Sequence, residues 1–190
     1  MEIRPEADHD TGPVAEVVLA AFGADEKVVV DLVEALRASS AYRGDLALVA
    51  VDRGEVVGHV MVTRGWIDAP DRLVEVGVLS PLSVRPDHQG AGLGTALLER
   101  AVTEARRVRW PLVVVEGSPR YYGARGFERA DLLGLQRPSA RIPAPAFQVA
   151  RLPAYDESIS GTVVYPDPFW ALDCVGLRDP ELVARIEADG

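Results

Sequence analysis

The feature that most constrains the fold is the segment 82–100, whose sequence is LSVRPDHQGAGLGTALLER. Its pattern predicts a strand, a tight glycine-rich turn and a long helix. Gly90, Gly92 and Gly94 fall at alternate positions, so the backbone of the turn can approach a ligand without interference from Cβ atoms. The helix that follows directs free N–H groups and the positive end of its dipole at the turn. The segment therefore predicts an anion site that suits phosphate or pyrophosphate.

The elements on either side of this turn predict a strand–helix–strand unit. The strand run Leu73–Val84 contains Pro81, which has no N–H to donate to a ladder, so we expect a break or bulge near Ser80 and Pro81. After the helix, the apolar run 112–115 is typical of a strand that is buried on both faces. Because the unit runs strand, helix, strand over 82–116, its two strands should be parallel.

Periodicity and turn residues outline the remaining elements. Helices are predicted at 13–22, about 26–38, 118–124 and about 180–188. Strands are predicted at 2–6, 45–51, 55–63, 147–152 and 162–165, and loops at 66–72 and 131–145. The sequence has no internal repeat or low-complexity tract, and we expect residues 1–190 to form a single domain.

Composition and charge argue against several classes of function. The formal net charge of -9 disfavours nucleic acid as a partner, because phosphate neutralisation needs a basic face. No apolar run approaches the roughly 20 residues that span a bilayer, and the acidic N-terminal segment lacks the apolar core of a signal peptide. We therefore expect a cytoplasmic protein without a membrane partner. Cys174 is the single cysteine, interpreted as a buried thiol, and no metal is predicted because no cluster has metal-ligand spacing.

Three phosphate-binding motifs compete for the glycine turn. A P-loop requires a lysine after its last glycine, and none follows Gly94. A dinucleotide-binding fingerprint requires G-x-G-x-x-G, but Thr95 stands where its third glycine belongs. Glu116 does end the next strand, as an acid does in that fingerprint, so this interpretation stays open, although no second nucleotide-binding half follows. The third motif, Q/R-x-x-G-x-G/A, is matched by Gln89, Gly92 and Gly94.

This third motif resembles the pyrophosphate loop of the GNAT superfamily of acyl-CoA-dependent N-acetyltransferases. The segment 122–127 (YGARGF) fits the Y-x-x-x-G-F signature of the same superfamily, and the predicted order of elements resembles the family's over residues 1–130. The tail, at 146–149 and 161–165, resembles that of the bacterial branch called YhbS-like. The resemblance implies an α/β (α+β) fold: a mixed, mostly antiparallel central sheet with a splayed parallel strand pair and helices on both faces, completed by residues 146–190.

The resemblance also implies that acetyl-CoA is the co-substrate, and that its acetyl group passes directly to an amine of a small molecule or a protein. The turn would bind the pyrophosphate, and the pantetheine arm would pair with the strand edge at 82–84. The N–H of Leu82 would polarise the thioester carbonyl. The implied cofactor-binding residues are Leu82, Ser83, Val84, Gln89, Gly90, Ala91, Gly92, Leu93, Gly94 and Thr95.

The leaving thiolate needs a proton, and Tyr122 matches the family's usual general acid. A phenol with a pKa of about 10 can protonate a thiolate whose thiol has a pKa of about 8.5. The neighbouring Tyr121 is expected to face elsewhere on its helix.

The acceptor amine needs a base, and carboxylates are the candidates. Glu75 lies on the strand that leads to the bulge, and Glu26 lies at the start of the second helix. Glu116 and Ser118, at the mouth of the last strand of the unit, are fallback candidates. No motif specifies the acceptor, and the tail either completes the acceptor pocket or covers a homodimer interface. A non-catalytic acyl-CoA-binding sensor or interaction module with the same fold is the alternative function.

Overall fold

The computed structural model describes residues 1–23, 27–177 and 180–189, and its strands join in one mixed sheet. The strands are β1 (Glu2–Pro5), β2 (Ala47–Asp52), β3 (Glu55–Asp68), β4 (Leu73–Val84), β5 (Leu112–Glu116), β6 (Glu128–Arg129), β7 (Leu135–Gln136), β8 (Phe147–Arg151) and β9 (Gly161–Val164). The helices are α1 (Thr11–Phe22), α2 (Lys27–Arg37), α3 (Leu93–Arg107), α4 (Pro119–Gly123), α5 (Asp167–Ala171) and α6 (Pro180–Asp189). In this described part of the chain, every helix is too short or too polar to cross a lipid bilayer.

The sheet has the mixed topology that the resemblance implies. Its main path runs β1-β2-β3-β4-β5-β8-β6, and β9 pairs with both β3 and β7. The β4–β5 pair is parallel, which confirms the prediction from the strand–helix–strand unit, and it joins only 77–79 to 113–115. The β7–β9 pair is also parallel, and the other described pairs are antiparallel. The pairing of β4 with β5 thus ends at Leu79, well before β4 itself ends.

Two hydrophobic cores flank the sheet, because each long helix carries one apolar face. The first core includes Val29, Leu32, Val33 and Leu36 of α2. The second includes Leu93, Leu97, Leu98, Ala101 and Ala105 of α3. These positions recur at helical spacing, and burying one leucine completely contributes roughly 2 kcal/mol. Residues of β5 alternate between the two cores, with Leu112 and Val114 in the first and Val113 and Val115 in the second. Helix α3 also contacts β4, so its start lies beside the end of that strand.

A bulge in β4 lies where this strand loses β5 as a neighbour. The register between β3 and β4 shifts between Val60 and Val62, so that Ser80 and Pro81 stand opposite a single residue of β3. The Ser80–Pro81 peptide bond is cis. The predicted bulge is therefore confirmed at the predicted residues, and a bulge of this kind bends the strand that carries it.

Two segments predicted as loops contain strand. The predicted loop 66–72 is wrong at its start, because β3 continues to Asp68. Residues 66–68, the last of β3, pair with β4 on one side and with β9 on the other. Strand β9 belongs to the tail, which is distant in sequence. The short strand β7 lies inside the predicted loop 131–145, again through pairing with β9. Pairing between segments that are distant in sequence leaves no local periodicity, so pattern analysis misses it.

Candidate active site

A cavity of about 1010 Å³ opens where β4 and β5 separate. Part of its wall comes from the bulge of β4, the glycine turn before α3, and the segment that runs from the end of β5 into α4. Residues of α1 and α2 and of the tail between 165 and 182 complete the wall. The cavity therefore joins the predicted anion site to the end of β5.

The glycine turn and the first turn of α3 present unpaired backbone N–H groups. Gly90 and Gly92 have φ values of 77° and 86°, a left-handed conformation that favours glycine. Gly92 caps α3, no side chain caps the helix, and the N–H of Ala96 donates to the carbonyl of Gly92 at 3.0 Å. The N–H groups of residues 93–95 precede this bond and have no acceptor within the helix. Backbone donors at a helix N-terminus bind phosphate groups.

Arg125 ties α4 to this first turn of α3. Its Nε donates to Oγ1 of Thr95 at 2.8 Å, and its Nη1 donates to the carbonyl of Tyr121 at 2.6 Å. The guanidinium lies over the Tyr121 ring, 3.8 Å from the centroid. A Cβ at Gly94 would come within 2.8 Å of the Tyr121 hydroxyl, so a larger residue there would displace the end of the tyrosine side chain. These contacts add a positive charge to the wall beside the anion site.

The backbone of Leu82 and Val84 points to the open edge of β4. The N–H of Arg85 donates to the carbonyl of Val57 at 2.9 Å, which marks a hydrogen-bonded pair in the antiparallel β3–β4 ladder. Such pairs alternate with non-hydrogen-bonded pairs, so the N–H and C=O groups of Leu82 and Val84 point away from β3. The side-chain amide of Gln89 donates to the carbonyl of Val84 at 2.9 Å. Leu82 lies on the same edge, in the wall of the cavity.

Tyr122 stands beside the end of β5. Its ring packs on the backbone of Gly117, where a Cβ would overlap the ring. Edge-to-face contacts join it to Tyr121 and Phe127, with centroids 5.0 and 5.5 Å away. Burial raises the pKa of the Tyr122 hydroxyl well above its usual value, so the oxygen keeps its proton at neutral pH. The phenol is therefore a proton donor in the cavity wall.

Glu116, the last residue of β5, brings a carboxylate into the same cavity. Burial raises the pKa of this carboxyl to about 7. Two hydrogen bonds oppose the shift, one from the Tyr165 hydroxyl and one of 3.0 Å from the N–H of Gly176 to Oε2. Among the described lining residues, Glu116 carries the one carboxylate. No group of three or more His, Cys, Asp or Glu side chains in the described ranges is arranged to hold a metal ion.

Comparison with known proteins decides the family. Residues 2–130 match the family described as acetyltransferase (GNAT) domain. The chain belongs to the GNAT family. A relative, the "Uncharacterized N-acetyltransferase YjhQ" of Escherichia coli (strain K12), is 34% identical over 123 residues, which make up 63% of this chain and 65% of YjhQ. The chain thus spans slightly less than two thirds of that relative.

Solved structures support the same family and the YhbS-like branch. The GNAT family N-acetyltransferase YhbS from Escherichia coli, in complex with CoA, has a TM-score of 0.78 and 27% identity, over 88% of this chain and 91% of that one. A GNAT family acetyltransferase from Brucella melitensis, in complex with acetyl-CoA, has a TM-score of 0.71 and 27% identity, over 88% of this chain and 97% of that one. The GNAT fold implied by the sequence motifs is confirmed.

The predicted cofactor residues of this GNAT chain divide into two groups. Those that line the cavity are Leu82, Val84, Gln89, Gly90, Gly92, Leu93, Gly94 and Thr95. Ser83 and Ala91 are not among the lining residues. Side chains alternate along a strand, so the side chain of Ser83 is buried on the opposite face of β4, and Ala91 is exposed in the turn.

The candidate bases differ in their position relative to the cavity. Glu75 is outside the cavity lining, with 46% of its side chain exposed, and it accepts a hydrogen bond of 3.4 Å from Nε1 of Trp110. Glu26 lies outside the described residues. Ser118 lines the cavity, but its hydroxyl caps α4 by accepting a backbone N–H at 3.3 Å. Glu116, which sequence analysis gave as a fallback candidate, is the candidate base whose carboxylate lines the cavity.

Sequence reasoning missed several residues of the wall. Tyr121 lines the cavity, although it was expected to face elsewhere, because α4 is little more than one turn and both tyrosines reach the same space. Arg125 occupies a variable position of the 122–127 motif, which gave no signal for its role. Tyr165 and Cys174 come from the tail, and Cys174 is half-buried in the cavity wall. Tertiary packing alone brings these tail residues to the site.

Proposed function

We propose that the chain transfers an acetyl group from acetyl-CoA directly to an amine of a small molecule or a protein. Membership of the GNAT family supports this reaction, and the related YhbS and Brucella structures hold CoA and acetyl-CoA. The observation that carries the proposal is the cavity, which is bordered by a helix N-terminus with free N–H groups, a strand edge whose backbone groups point away from β3, and a buried phenol. One cofactor with a pyrophosphate, an amide-containing arm and a thioester can engage all three.

The cofactor set is proposed as the sequence predicts it, with Arg125 added. The pyrophosphate binds the N–H groups of residues 93–95, and the guanidinium beside Thr95 contributes positive charge. The pantetheine arm lies along the open edge of β4 and pairs with the backbone of Leu82 and Val84, as an added strand would. Neither Ser83 nor Ala91 is in the cavity lining. Ser83 stays in the set only as the link between Leu82 and Val84, because its own backbone N–H and C=O face β3, and Ala91 stays through its backbone in the turn.

The transfer requires stabilisation of the thioester oxygen and a proton for the departing sulfur. The N–H of Leu82 is proposed to stabilise the negative charge that develops on oxygen as the amine attacks. The Tyr122 hydroxyl gives its proton to the thiolate. Burial lifts the pKa of Tyr122 further above that of a thiol, so this step is favourable only if the phenolate recovers a proton from the acceptor nitrogen. The nitrogen must lose that proton anyway to become an amide.

Tyr122→Phe tests the acid, because it removes one oxygen and keeps the ring contacts. We expect kcat, followed through thiol release with a panel of amines, to fall about 100-fold. The Kd for acetyl-CoA, measured by calorimetry, should stay close to that of the unmodified protein. Tyr155→Phe is the matched control, because Tyr155 is outside the cavity lining and packs under Arg151. A Tyr122→Phe variant with full turnover would contradict the acid role.

The same measurements separate this function from other uses of the fold. Tight CoA binding without thiol release on any amine would identify a non-catalytic acyl-CoA sensor. A rise of Tm with NAD but not with CoA would support the dinucleotide interpretation instead. A cytoplasmic location and a homodimer are also part of the proposal, and analytical ultracentrifugation tests the dimer.

A further inference from the structure

Building on the proposed acetyl transfer, we propose that the acceptor is a primary amine carried on an apolar group, and that Glu116 takes the proton from its ammonium. Glu116 directly precedes Gly117, against which the Tyr122 ring packs. The Glu116 carboxylate and the Tyr122 phenol therefore line the same cavity from neighbouring segments. Transfer of an acyl group from sulfur to an amine needs such a pair, one group to accept a proton and one to donate.

The tail holds the Glu116 carboxylate in place. The N–H of Gly176 donates to Oε2 at 3.0 Å, and the Tyr165 hydroxyl donates a second hydrogen bond. The Tyr165 ring is fixed in turn by Phe169, with centroids 5.0 Å apart. An ionised carboxylate accepts about four hydrogen bonds, so two donors leave capacity to receive a proton from the cavity. Tyr165 is therefore a positioning residue for Glu116.

The ionisation of Glu116 suits a base at neutral pH. Burial raises its pKa to about 7, while the bond from Tyr165 and the positive charge of Arg141 oppose the rise. The other ionisable side chains of the described lining, apart from Arg125 at the start of α3, are Tyr121, Tyr122, Tyr165 and Cys174. Above its pKa the carboxyl is ionised and accepts a proton, and as an acid of that strength it returns the proton readily to water.

Another part of the described cavity wall is apolar. Its members come from α1, α2 and the tail: Phe22, Val29, Leu32, Phe169, Leu177 and Leu182. Among the described lining residues Arg125 is the one cation, and it is bonded to Thr95 at the start of α3. In an acceptor with one ammonium, that ammonium pairs with the Glu116 carboxylate and the apolar group of the acceptor is buried against the apolar wall. The described lining offers a second ammonium no other carboxylate, and desolvation of an unpaired charge is costly.

Proton transfers and bond changes balance in this scheme. The ammonium gives one proton to Glu116, which releases it to water, and the free amine attacks the thioester carbon. A C–N bond forms while the carbonyl electron pair moves to the oxygen beside the N–H of Leu82. Collapse breaks the C–S bond, and the sulfur leaves with its electron pair and takes the Tyr122 proton. The phenolate recovers a proton from the new amide nitrogen, so the products are the N-acetyl amine, the CoA thiol and one proton.

The acceptor class is tested with three amines: 2-phenylethylamine, spermidine and a lysine-containing peptide. We expect kcat/KM for 2-phenylethylamine to exceed that for spermidine about 100-fold, because only the former buries a single charge. A preference for spermidine or the peptide would overturn the proposed acceptor class while leaving acetyl transfer intact. If the protein binds acetyl-CoA but releases no thiol with any of the three, the proposed transferase activity itself fails.

The role of Glu116 is tested by the pH dependence of kcat. The unmodified protein should show an acid limb with an apparent pKa of about 7. Glu116→Gln should lower the plateau about 100-fold and abolish that limb. Tyr165→Phe removes a bond that favours the ionised form, so the limb should move to higher pH by about one unit. Glu157→Gln, in an exposed loop, is the matched control for charge removal.

Folding is checked separately by the Kd for acetyl-CoA and by Tm, both of which should change little in the variants. An unchanged acid limb in Glu116→Gln, or an unmoved limb in Tyr165→Phe, would overturn the assignment of the base. Either result would leave the transferase activity standing, since thiol release would still be measured.

Discussion

The two ends of the cavity are built from different parts of the chain. The proposed cofactor end consists of the open edge of β4, the glycine turn and the first turn of α3, all within residues 82–95, and it offers mainly backbone groups. The proposed acceptor end consists of side chains from distant segments, such as Phe22, Glu116 and Phe169. A backbone site is specified by local conformation, whereas a side-chain site is specified by tertiary packing. One fold can therefore keep its cofactor while the acceptor changes.

Gly92→Val should break the cofactor end with the largest effect. No atom lies within 4 Å of a Cβ at Gly92, so the damage arises from the φ of 86°, which a β-branched residue rarely adopts. Strain of about 1–3 kcal/mol, or the rearrangement that relieves it, displaces the N–H groups of α3. We expect the Kd for acetyl-CoA, measured by calorimetry, to rise about 100-fold.

Gly12→Val is the matched control for this substitution. Gly12 also has open space around a Cβ, and its φ is an ordinary one. Its Kd for acetyl-CoA should stay close to that of the unmodified protein. Equal affinity of Gly92→Val and Gly12→Val would show that the turn does not hold the cofactor through its conformation.

The local structure of the proposed cofactor end could be predicted from the sequence because its signals are local. The glycine spacing, the proline at the bulge and the apolar spacing of α3 each require only neighbouring residues. Even in this segment, glycine is favoured at the individual positions for different physical reasons. Gly90 and Gly92 are favoured by their positive φ, while Gly94 gives space to the Tyr121 hydroxyl, a contact that depends on the packing of α4.

Phe22→Ala should weaken the acceptor end with a smaller effect. Phe22 lines the cavity with 43% of its surface exposed, so its removal costs the acceptor some apolar contact and little folding energy. We expect KM for 2-phenylethylamine to rise about fivefold, equivalent to roughly 1 kcal/mol, with the Kd for acetyl-CoA unchanged. Leu19→Ala, on the same helix with 39% exposure and outside the lining, is the control. A raised Kd for acetyl-CoA would place Phe22 at the cofactor end.

The acceptor end could not be predicted in this way. Glu116 was recognisable as the last residue of a strand, but nothing in the sequence distinguished it from Glu75, which is on an equally plausible strand and is outside the cavity lining. The distinction depends on Tyr165 and Gly176, which reach Glu116 from the tail. The last residues of β3 also depend on the tail, because they pair with β9. The missed strand and the missed site residues therefore have one physical cause, which is contact between segments that are distant in sequence.

Asp10→Asn should affect neither end of the cavity, and its effect on activity is the smallest that we expect. Asp10 lies before α1, with 3% of its side chain exposed, and accepts hydrogen bonds of 2.6 and 2.9 Å from Arg4. A third bond of 2.8 Å comes from the N–H of Ala7. The bonds from Arg4 are the main cause that lowers the pKa of Asp10 to about 2. At pH 7, kcat and the Kd for acetyl-CoA should match those of the unmodified protein.

Stability, in contrast, should fall in a pH-dependent way. Because the folded pKa lies below the unfolded one, the carboxylate stabilises the fold above a pH of about 4, and this contribution is lost as the pH falls towards 2. A shift of this size corresponds to about 2 kcal/mol. Urea unfolding should therefore show Asp10→Asn less stable by that amount at pH 7, with the difference shrinking on acidification. The exposed Asp8→Asn is the control, and a loss independent of pH would mean that packing, not charge, makes Asp10 important.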